Sequence, residues 1–328
     1  MNEPKISVVV IGRNEGERLV RCLRSLSFLD AEVIYVDSAS TDNSPQTAAS
    51  LGAEVIVLEG GIHTAARARN AGWQRARTPY VLFLDGDTVL KRGFPAAALR
   101  ALESDERIAS AWGHRRESRP EHSLYNRLLD LDWIYAPGTT EYCGGDALMR
   151  RGALEAVGGF DPSLIAGEEP ELCRRLRAHG YRIEHIDVPM TGHDLNMTRF
   201  RQYWLRAVRA GHAYAEVSHR FRGTGDRMWL QESNRNYRSA AFWLLWFLGA
   251  ACLVIFKSMW AIPWLAVLPL LAARSAWKNR WKIAGQPGLL LLYGLHSHAQ
   301  QIPICVGQLR YLFNRRSALI EYKEGAKV

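Results

Sequence analysis

Four times before residue 90 the chain returns to a short, largely apolar and β-branched run, at 6–11, 33–36, 54–58 and 80–84. The segments between these runs space their apolar residues as a helix does. Leu19, Cys22, Leu23 and Leu26 share one face, 42–51 begins with the capping run Ser40-Thr41-Asp42, and 63–76 forms a third helix. Strand-length runs alternating with helices confine the chain to an α/β architecture. Its sheet is expected to be mostly parallel, with flanking helices and a ligand crevice at the carboxyl ends of the strands. Acidic residues occupy two of those ends: Asp37 after the second run and Asp85-Gly86-Asp87 after the fourth.

The pattern changes after residue 190. Residues 1–190 carry 23 basic and 27 acidic side chains, whereas 191–328 carry 19 and 6. Eight of the 11 Trp lie beyond residue 200, so the formal charge of +9 belongs to one half of the chain. A basic helix is expected over 199–222, carrying Phe200, Tyr203, Trp204, Tyr214 and Phe221. Two uncharged runs follow, 17 residues at 240–256 and 15 at 259–273, the second interrupted by Pro263 and Pro269. A spanning helix needs about 20 apolar residues, so the first run is marginal and the second short, and a buried soluble helix stays open. Arg235, Arg238, Arg274, Lys278, Arg280 and Lys282 flank the pair. They favour a membrane hairpin whose outer ends face the cytoplasm.

The segment 287–313, interrupted by His296, His298, Gln300 and Gln301, is read as interfacial or re-entrant. The implied partner is an anionic membrane surface and not nucleic acid, because the positive excess accompanies apolar runs. Five cysteines without close pairing read as free thiols in a reducing compartment, and 1–12 reads as a strand and not a signal peptide.

Asp85 and Asp87, two carboxylates separated by one Gly at a strand end, suit a hard divalent cation such as Mg²⁺ or Mn²⁺ that also bridges phosphate oxygens. An acidic turn would read the same way. The pair has company, however: VIYVDSASTDNS around Asp37, ARARNAGWQRA at 66–76, GGDALMRRGALEAVGGFD at 144–161 and GEEPELCRRLRAHGYRI at 167–183. In order and spacing these blocks resemble a family 2 glycosyltransferase of the GT-A fold, over about residues 5–195.

The resemblance implies a Rossmann-like catalytic domain over 1–195. The basic and apolar runs beyond it are read as a basic connector over 196–238 and membrane-associated helices over 239–328. The resemblance further implies that Arg13, Asn14, Glu15 and Asp37 lie near the base and ribose of a nucleotide sugar. Arg67 or Arg69 would approach the diphosphate, and Asp85 and Asp87 would form the metal motif, with Asp87 the direct ligand and His193 a further metal or diphosphate contact. Asp146 would face the acceptor. Glu169 would be the catalytic base, with Glu168 as the fallback. Several of these positions also have plain structural readings, as a helix start, a cap or a surface arginine.

The departures are a missing Pro in the first strand, DSAS where a second acid is common, and Glu169 where the family carries Asp. The segment Gln202-Tyr203-Trp204-Leu205-Arg206 does not match the Gln-x-x-Arg-Trp of processive synthases, so polymerisation is disfavoured. The expected activity is inverting transfer of a sugar from a nucleotide donor, using Mn²⁺ or Mg²⁺, to a lipid-linked or membrane-presented glycan acceptor. That activity fits envelope polysaccharide or glycolipid assembly at a bacterial inner membrane. Two alternatives remain: a synthase charging polyprenyl phosphate itself, and a non-catalytic sugar-nucleotide-binding subunit.

Overall fold

The computed structural model describes residues 4–223 and 227–313. These fall into two units, 4–120 with 133–196 and Glu121–Asp132 with 197–313, so both expected C-terminal regions lie in one unit as far as residue 313. The expected region 239–328 runs on into 314–328, which lies outside the described residues.

The first unit is built on a sheet whose strands β1 (Ile6–Gly12), β2 (Glu32–Asp37), β3 (Glu54–Val57) and β4 (Tyr80–Asp85) occupy the four apolar runs. Helices α1 (Glu17–Arg24), α2 (Ser44–Ser50) and α3 (Ala65–Arg75) connect them. β1 pairs in parallel with β2 and β4, and β2 with β3. The remaining strands are β5 (Thr88–Leu90), β6 (Ile108–Glu117), β7 (Gly138–Thr140), β8 (Ala147–Arg150) and β9 (Arg182–His193), with helices α4 (Phe94–Ser104), α6 (Arg151–Val157) and α7 (Glu168–Ala178) among them. The strand order is β3-β2-β1-β4-β8-β6-β9-β5, with β7 also on β9.

The sheet is mixed, with β6 and β9 also paired in parallel, so its longest ladders run parallel as expected. β8 runs antiparallel to both β4 and β6, and β5 and β7 run antiparallel to β9. α2 starts at Ser44 with Asn43 as its N-cap residue; Asp42 Oδ1 of the expected capping run accepts from Ser44 N–H at 3.0 Å, while Ser40 turns back toward β2. The core packs Val8–Val10, Ile34–Val36 and Val81–Leu84 against Leu19, Cys22, Phe94 and Phe160.

The second unit holds α5 (Leu124–Asp132) and the helices α8 (Phe200–Arg220), α9 (Leu230–Ile255), α10 (Ala261–Lys278), α11 (Pro287–Ala299) and α12 (Gln301–Phe313). α8 and α12 meet backbone to backbone: a Cβ on Gly211 would lie 1.9 Å from the Ile304 carbonyl oxygen, and one on Gly307 would lie 2.0 Å from that of Val208. The α9–α10 hairpin is pinned by the indoles of Trp246 and Trp264, each donating to the other's carbonyl at 3.0 Å. Tyr293 donates to Asp132 Oδ1 at 2.9 Å and ties α11 to α5.

Of the two expected apolar runs, only the one in α9 lies in a helix long and apolar enough to cross a membrane, among the described residues and by length and composition alone. α10 ends in a turn bearing Arg274 and Lys278. The segment 287–313 is two 13-residue helices, each about 20 Å long against a hydrocarbon core of about 30 Å.

Candidate active site

The crossover of the sheet brings the first acidic cluster together. β1 lies between β2 and β4, so the ends of the three strands converge at Gly12, Asp37 and Asp85. After β4 the chain turns through Gly86, whose N–H donates to the Ile11 carbonyl at 2.8 Å, and enters β5. In the β5–β9 ladder Thr88 faces His193, and Asp194 N–H donates to the Asp87 carbonyl at 3.0 Å. His193 Nε2 thereby stands 3.3 Å from Asp87 Oδ2. One donor atom each from Asp85, Asp87 and His193 lies within 4.8 Å of the others, with Asp87 and His193 buried. Two carboxylate oxygens and an imidazole nitrogen at this separation fit a divalent cation of the Mg²⁺/Mn²⁺ type.

The same cluster continues into a second one through Arg69, on the buried face of α3. Its Nη2 donates to Asp85 Oδ1 at 2.9 Å, and its Nη1 donates to Glu168 Oε1 at 2.9 Å and lies 3.1 Å from Glu169 Oε1. Arg69 is thus a buried cation shared by carboxylates and not an exposed surface arginine. Burial opposes its charge, but Glu169, Asp85 and Glu168 outweigh it and hold the guanidinium more basic than usual. Arg69→Leu would leave three carboxylates facing one another without their shared cation. Its expected cost is about 3–5 kcal/mol of folding stability, read from denaturant unfolding.

Glu168 and Glu169 begin α7 behind Gly167, whose φ of 85° turns the chain into the helix. Acidic first-turn residues suit the positive end of the helix dipole. The Glu169 side chain keeps 16% of its surface exposed, whereas Glu168 keeps 6%. Burial, reinforced by Glu168 and Asp85 and opposed by Arg69, pushes the Glu169 carboxyl up to about 7.

Asp146 adjoins the cleft beside Glu169, with its carboxylate held by protein groups. It is fully buried, accepting from the Asp85 backbone N–H at 3.0 Å and from the Thr191 hydroxyl at 2.8 Å. Its role in this geometry is to fix the position of Asp85. Burial pushes its carboxyl up to about 6 against the pull of Arg115. Arg115, at the end of β6, had no counterpart in the sequence reading. Its Nη2 donates to Asp85 Oδ2 at 3.3 Å, and its guanidinium lies over the Trp133 ring at 5.0 Å.

Gly145 completes the wall. A methyl there would lie 2.5 Å from Arg69 Nη2, 3.0 Å from Asp85 Oδ2 and 3.1 Å from Glu169 Oε1. Gly145→Ala is expected to cost about 1–3 kcal/mol, seen as a lowered Tm, because the guanidinium it displaces is held by three carboxylates.

On the other side of β1, Asp37 is fully buried and accepts from the Tyr35 hydroxyl at 2.9 Å, the Ser40 N–H at 2.7 Å and the Ser40 hydroxyl at 2.6 Å. Asn14 Oδ1 accepts from Thr41 N–H at 2.7 Å, and Asn14 N–H donates to Ser40 Oγ at 2.9 Å. The loops after β1 and β2 are therefore laced together. Glu15 is buried with Oε2 2.9 Å from Arg18, and Arg13 is half-buried beside it. Arg67 is engaged by backbone carbonyls. Its Nη1 donates to the carbonyls of Gly60 and Ile62 at 2.7 and 2.8 Å, and its Nη2 to that of Glu59 at 3.1 Å, so it holds the loop after β3.

A cleft of about 440 Å³ leads to Glu169, Arg115 and Asp146, with Trp112, Trp133, Tyr135 and Tyr142 in its walls. The sequence reading found none of these aromatics. They lie between residues 112 and 142 and come together only once β6 and β7 have paired with β9. Cys143 also lines the cleft, with its sulfur 3.5 Å from that of Cys173 on α7.

The model of the family "Glycosyl transferase family 2" matches residues 7–158, which contain β1 to β8 and both acidic strand ends. The pre-mycofactocin glycosyltransferase of Mycobacterium tuberculosis is 30% identical over 228 residues, 65% of this chain and 47% of that relative. The O-antigen chain rhamnosyltransferase WbaN of Salmonella anatum is 23% identical over 195 residues, 54% of this chain and 62% of that relative. The chain thus spans about half the length of the first relative and under two thirds of the second.

Among solved structures, the mannosyltransferase PcManGT from Pyrobaculum calidifontis, in complex with GDP-Man and Mn²⁺, superposes with a TM-score of 0.60 at 20% identity, covering 95% of this chain and 88% of that one. S. aureus TarS 1-349 gives a TM-score of 0.50 at 16% identity, covering 98% and 97%. These two likenesses are of fold, and the mixed sheet with its flanking helices is the Rossmann-like GT-A fold. Family model and sequence relatives agree: over residues 7–158 the chain is similar to glycosyl transferase family 2, and the two solved structures share its fold.

Proposed function

We propose that the protein transfers a sugar, with inversion, from a nucleoside-diphosphate donor to a hydroxyl of a lipid-linked or otherwise membrane-presented acceptor. The observation that carries this reading is the pair of clusters joined by Arg69: Asp85, Asp87 and His193 on one side, Glu168 and Glu169 on the other. Asp87, Asp85 and His193 would hold a cation of the Mn²⁺/Mg²⁺ type, which would supply positive charge to the departing diphosphate. Asp37, with the laced loops after β1 and β2 and with Arg13 and Glu15 nearby, holds the base and ribose.

Glu169 Oε1 takes the proton of the acceptor hydroxyl as its oxygen bonds to the anomeric carbon. The bond from that carbon to the diphosphate breaks on the opposite face, and its electron pair leaves with the diphosphate. Arg69 keeps Glu169 and Asp85 at fixed separation and so sets base and donor in line. Membrane attachment through α9 and the basic residues around it supports presentation of the acceptor at an anionic surface, with the basic ends cytoplasmic.

The test is a panel of nucleotide sugars offered to purified protein with Mn²⁺ or Mg²⁺, reading release of nucleoside diphosphate. Metal-dependent release from at least one donor is expected. Binding of the donor without release in the presence of any acceptor would instead indicate a non-catalytic binding subunit.

A further inference from the structure

We infer that the cleft beside Glu169 is built for a neutral pyranose ring of the acceptor, so that the attacking group is a sugar hydroxyl and not a lipid phosphate. The inference rests on the glycosyltransferase reading and narrows it to one acceptor class. The cleft's volume of about 440 Å³ lies within the range of small-molecule sites. Four aromatic rings line it, those of Trp112, Trp133, Tyr135 and Tyr142. Trp112 is backed by His185, stacked at 4.0 Å between centroids, and Tyr135 meets Trp112 edge-on at 5.6 Å, so the wall is a supported aromatic surface. The axial C–H faces of a pyranose carry slightly positive hydrogens that complement the negative face of an aromatic ring. Phosphate gains nothing comparable from such a wall.

The charges lining the cleft point the same way. Among the described residues, its acidic groups are Glu141, Asp146 and Glu169, and its one cation is Arg115. Arg115 has 14% of its side chain exposed, with Nη2 on Asp85 and Nε 3.7 Å from Asp146. A phosphate acceptor would enter among carboxylates, facing a guanidinium already shared by two of them, and such like-charge placement disfavours it. A neutral hydroxyl instead needs the base that Glu169 provides, whereas a phosphate oxygen is already an anion and needs none.

The experiment has two arms, both with the full chain. In the first, Mn²⁺ and the donor that releases diphosphate are combined with methyl glycosides of glucose, galactose, mannose and N-acetylglucosamine, or with farnesyl phosphate. At least one glycoside is expected to accept at tenfold or more the rate of farnesyl phosphate. Tyr135→Ala is expected to raise the glycoside KM about tenfold with a smaller change in kcat, since Tyr135 is 45% exposed and lines the cleft away from the buried ion cluster. Faster transfer to farnesyl phosphate overturns the inference, as does a glycoside KM within twofold of wild type in Tyr135→Ala.

The second arm reads saturation-transfer NMR of the same glycosides without any donor, so it does not depend on turnover. A glycoside signal that falls in Tyr135→Ala supports the inference, and no Tyr135-dependent signal overturns it. Absence of diphosphate release from every donor would overturn the glycosyltransferase reading separately.

Discussion

Replacing Asp87 by Ala is expected to lower kcat/KM for transfer at least about 10²-fold, the scale set by a few kcal/mol of lost charge stabilisation at the leaving diphosphate. The folded state should survive. Asp87 is held by its backbone, through the bond from Asp194 N–H to its carbonyl and the pairing of the adjacent Thr88 with His193. Its carboxylate instead points to His193 and Asp85 inside the candidate metal cluster. The substitution therefore removes a ligand while leaving the β5–β9 ladder in place. Steady-state kinetics over a Mn²⁺ series, with Tm as control, checks this. A variant of native Tm and native kcat/KM would remove Asp87 from the reaction.

Glu169→Gln carries the second large expected effect, a loss of about 10²–10⁴-fold in kcat, the usual contribution of a positioned general base. The amide keeps the size of the side chain and can still accept from Arg69, so packing changes little. The pH dependence gives an independent reading. Burial chiefly, with help from Glu168 and Asp85 and against Arg69, pushes this carboxyl up to about 7. Only the ionised form takes a proton, so wild-type kcat/KM should rise as pH climbs through about 7 and level off above it. The Gln variant should lack that rise. A wild-type profile flat from about pH 5 to 9 would pass the role to Glu168 or to another group.

The parallel part of the sheet was legible because β1, β2 and β4 are continuous apolar runs, buried along most of their length. Such runs announce themselves locally, and their carboxyl ends locate Asp37, Asp85 and Asp87 without any tertiary information. β9 carries no such signal. Its sequence RIEHIDVPMTGH mixes charge, a proline and half-exposed positions, and it becomes a strand by pairing with β5, β6 and β7. His193 reaches Asp87 only through that ladder.

The carboxylate partners of Arg69 were not legible for a related reason. A guanidinium fork suits phosphate and carboxylate equally well, and the carboxylates that claim Arg69 stand 16 and 99 residues along the chain. Asp146 was placed facing the acceptor because it adjoins the right motif. Its two hydrogen bonds, to the backbone of Asp85 and to Thr191, come from β4 and β9 and fix its carboxylate at the inner wall of the cleft. The split of charge between the halves of the chain was plain from composition. The number and length of the apolar helices were not, because Arg274 and Lys278 sit within α10 and 287–313 breaks into two helices.

Titration calorimetry of Mn²⁺ into wild-type protein and Asp87→Ala, each with and without a nucleoside diphosphate, tests the metal cluster most directly. The account predicts that wild type binds Mn²⁺ and that the cation tightens nucleotide binding at least about tenfold, equivalent to about 1.4 kcal/mol, while Asp87→Ala loses both effects. Equal Mn²⁺ and nucleotide binding by the two proteins would contradict it.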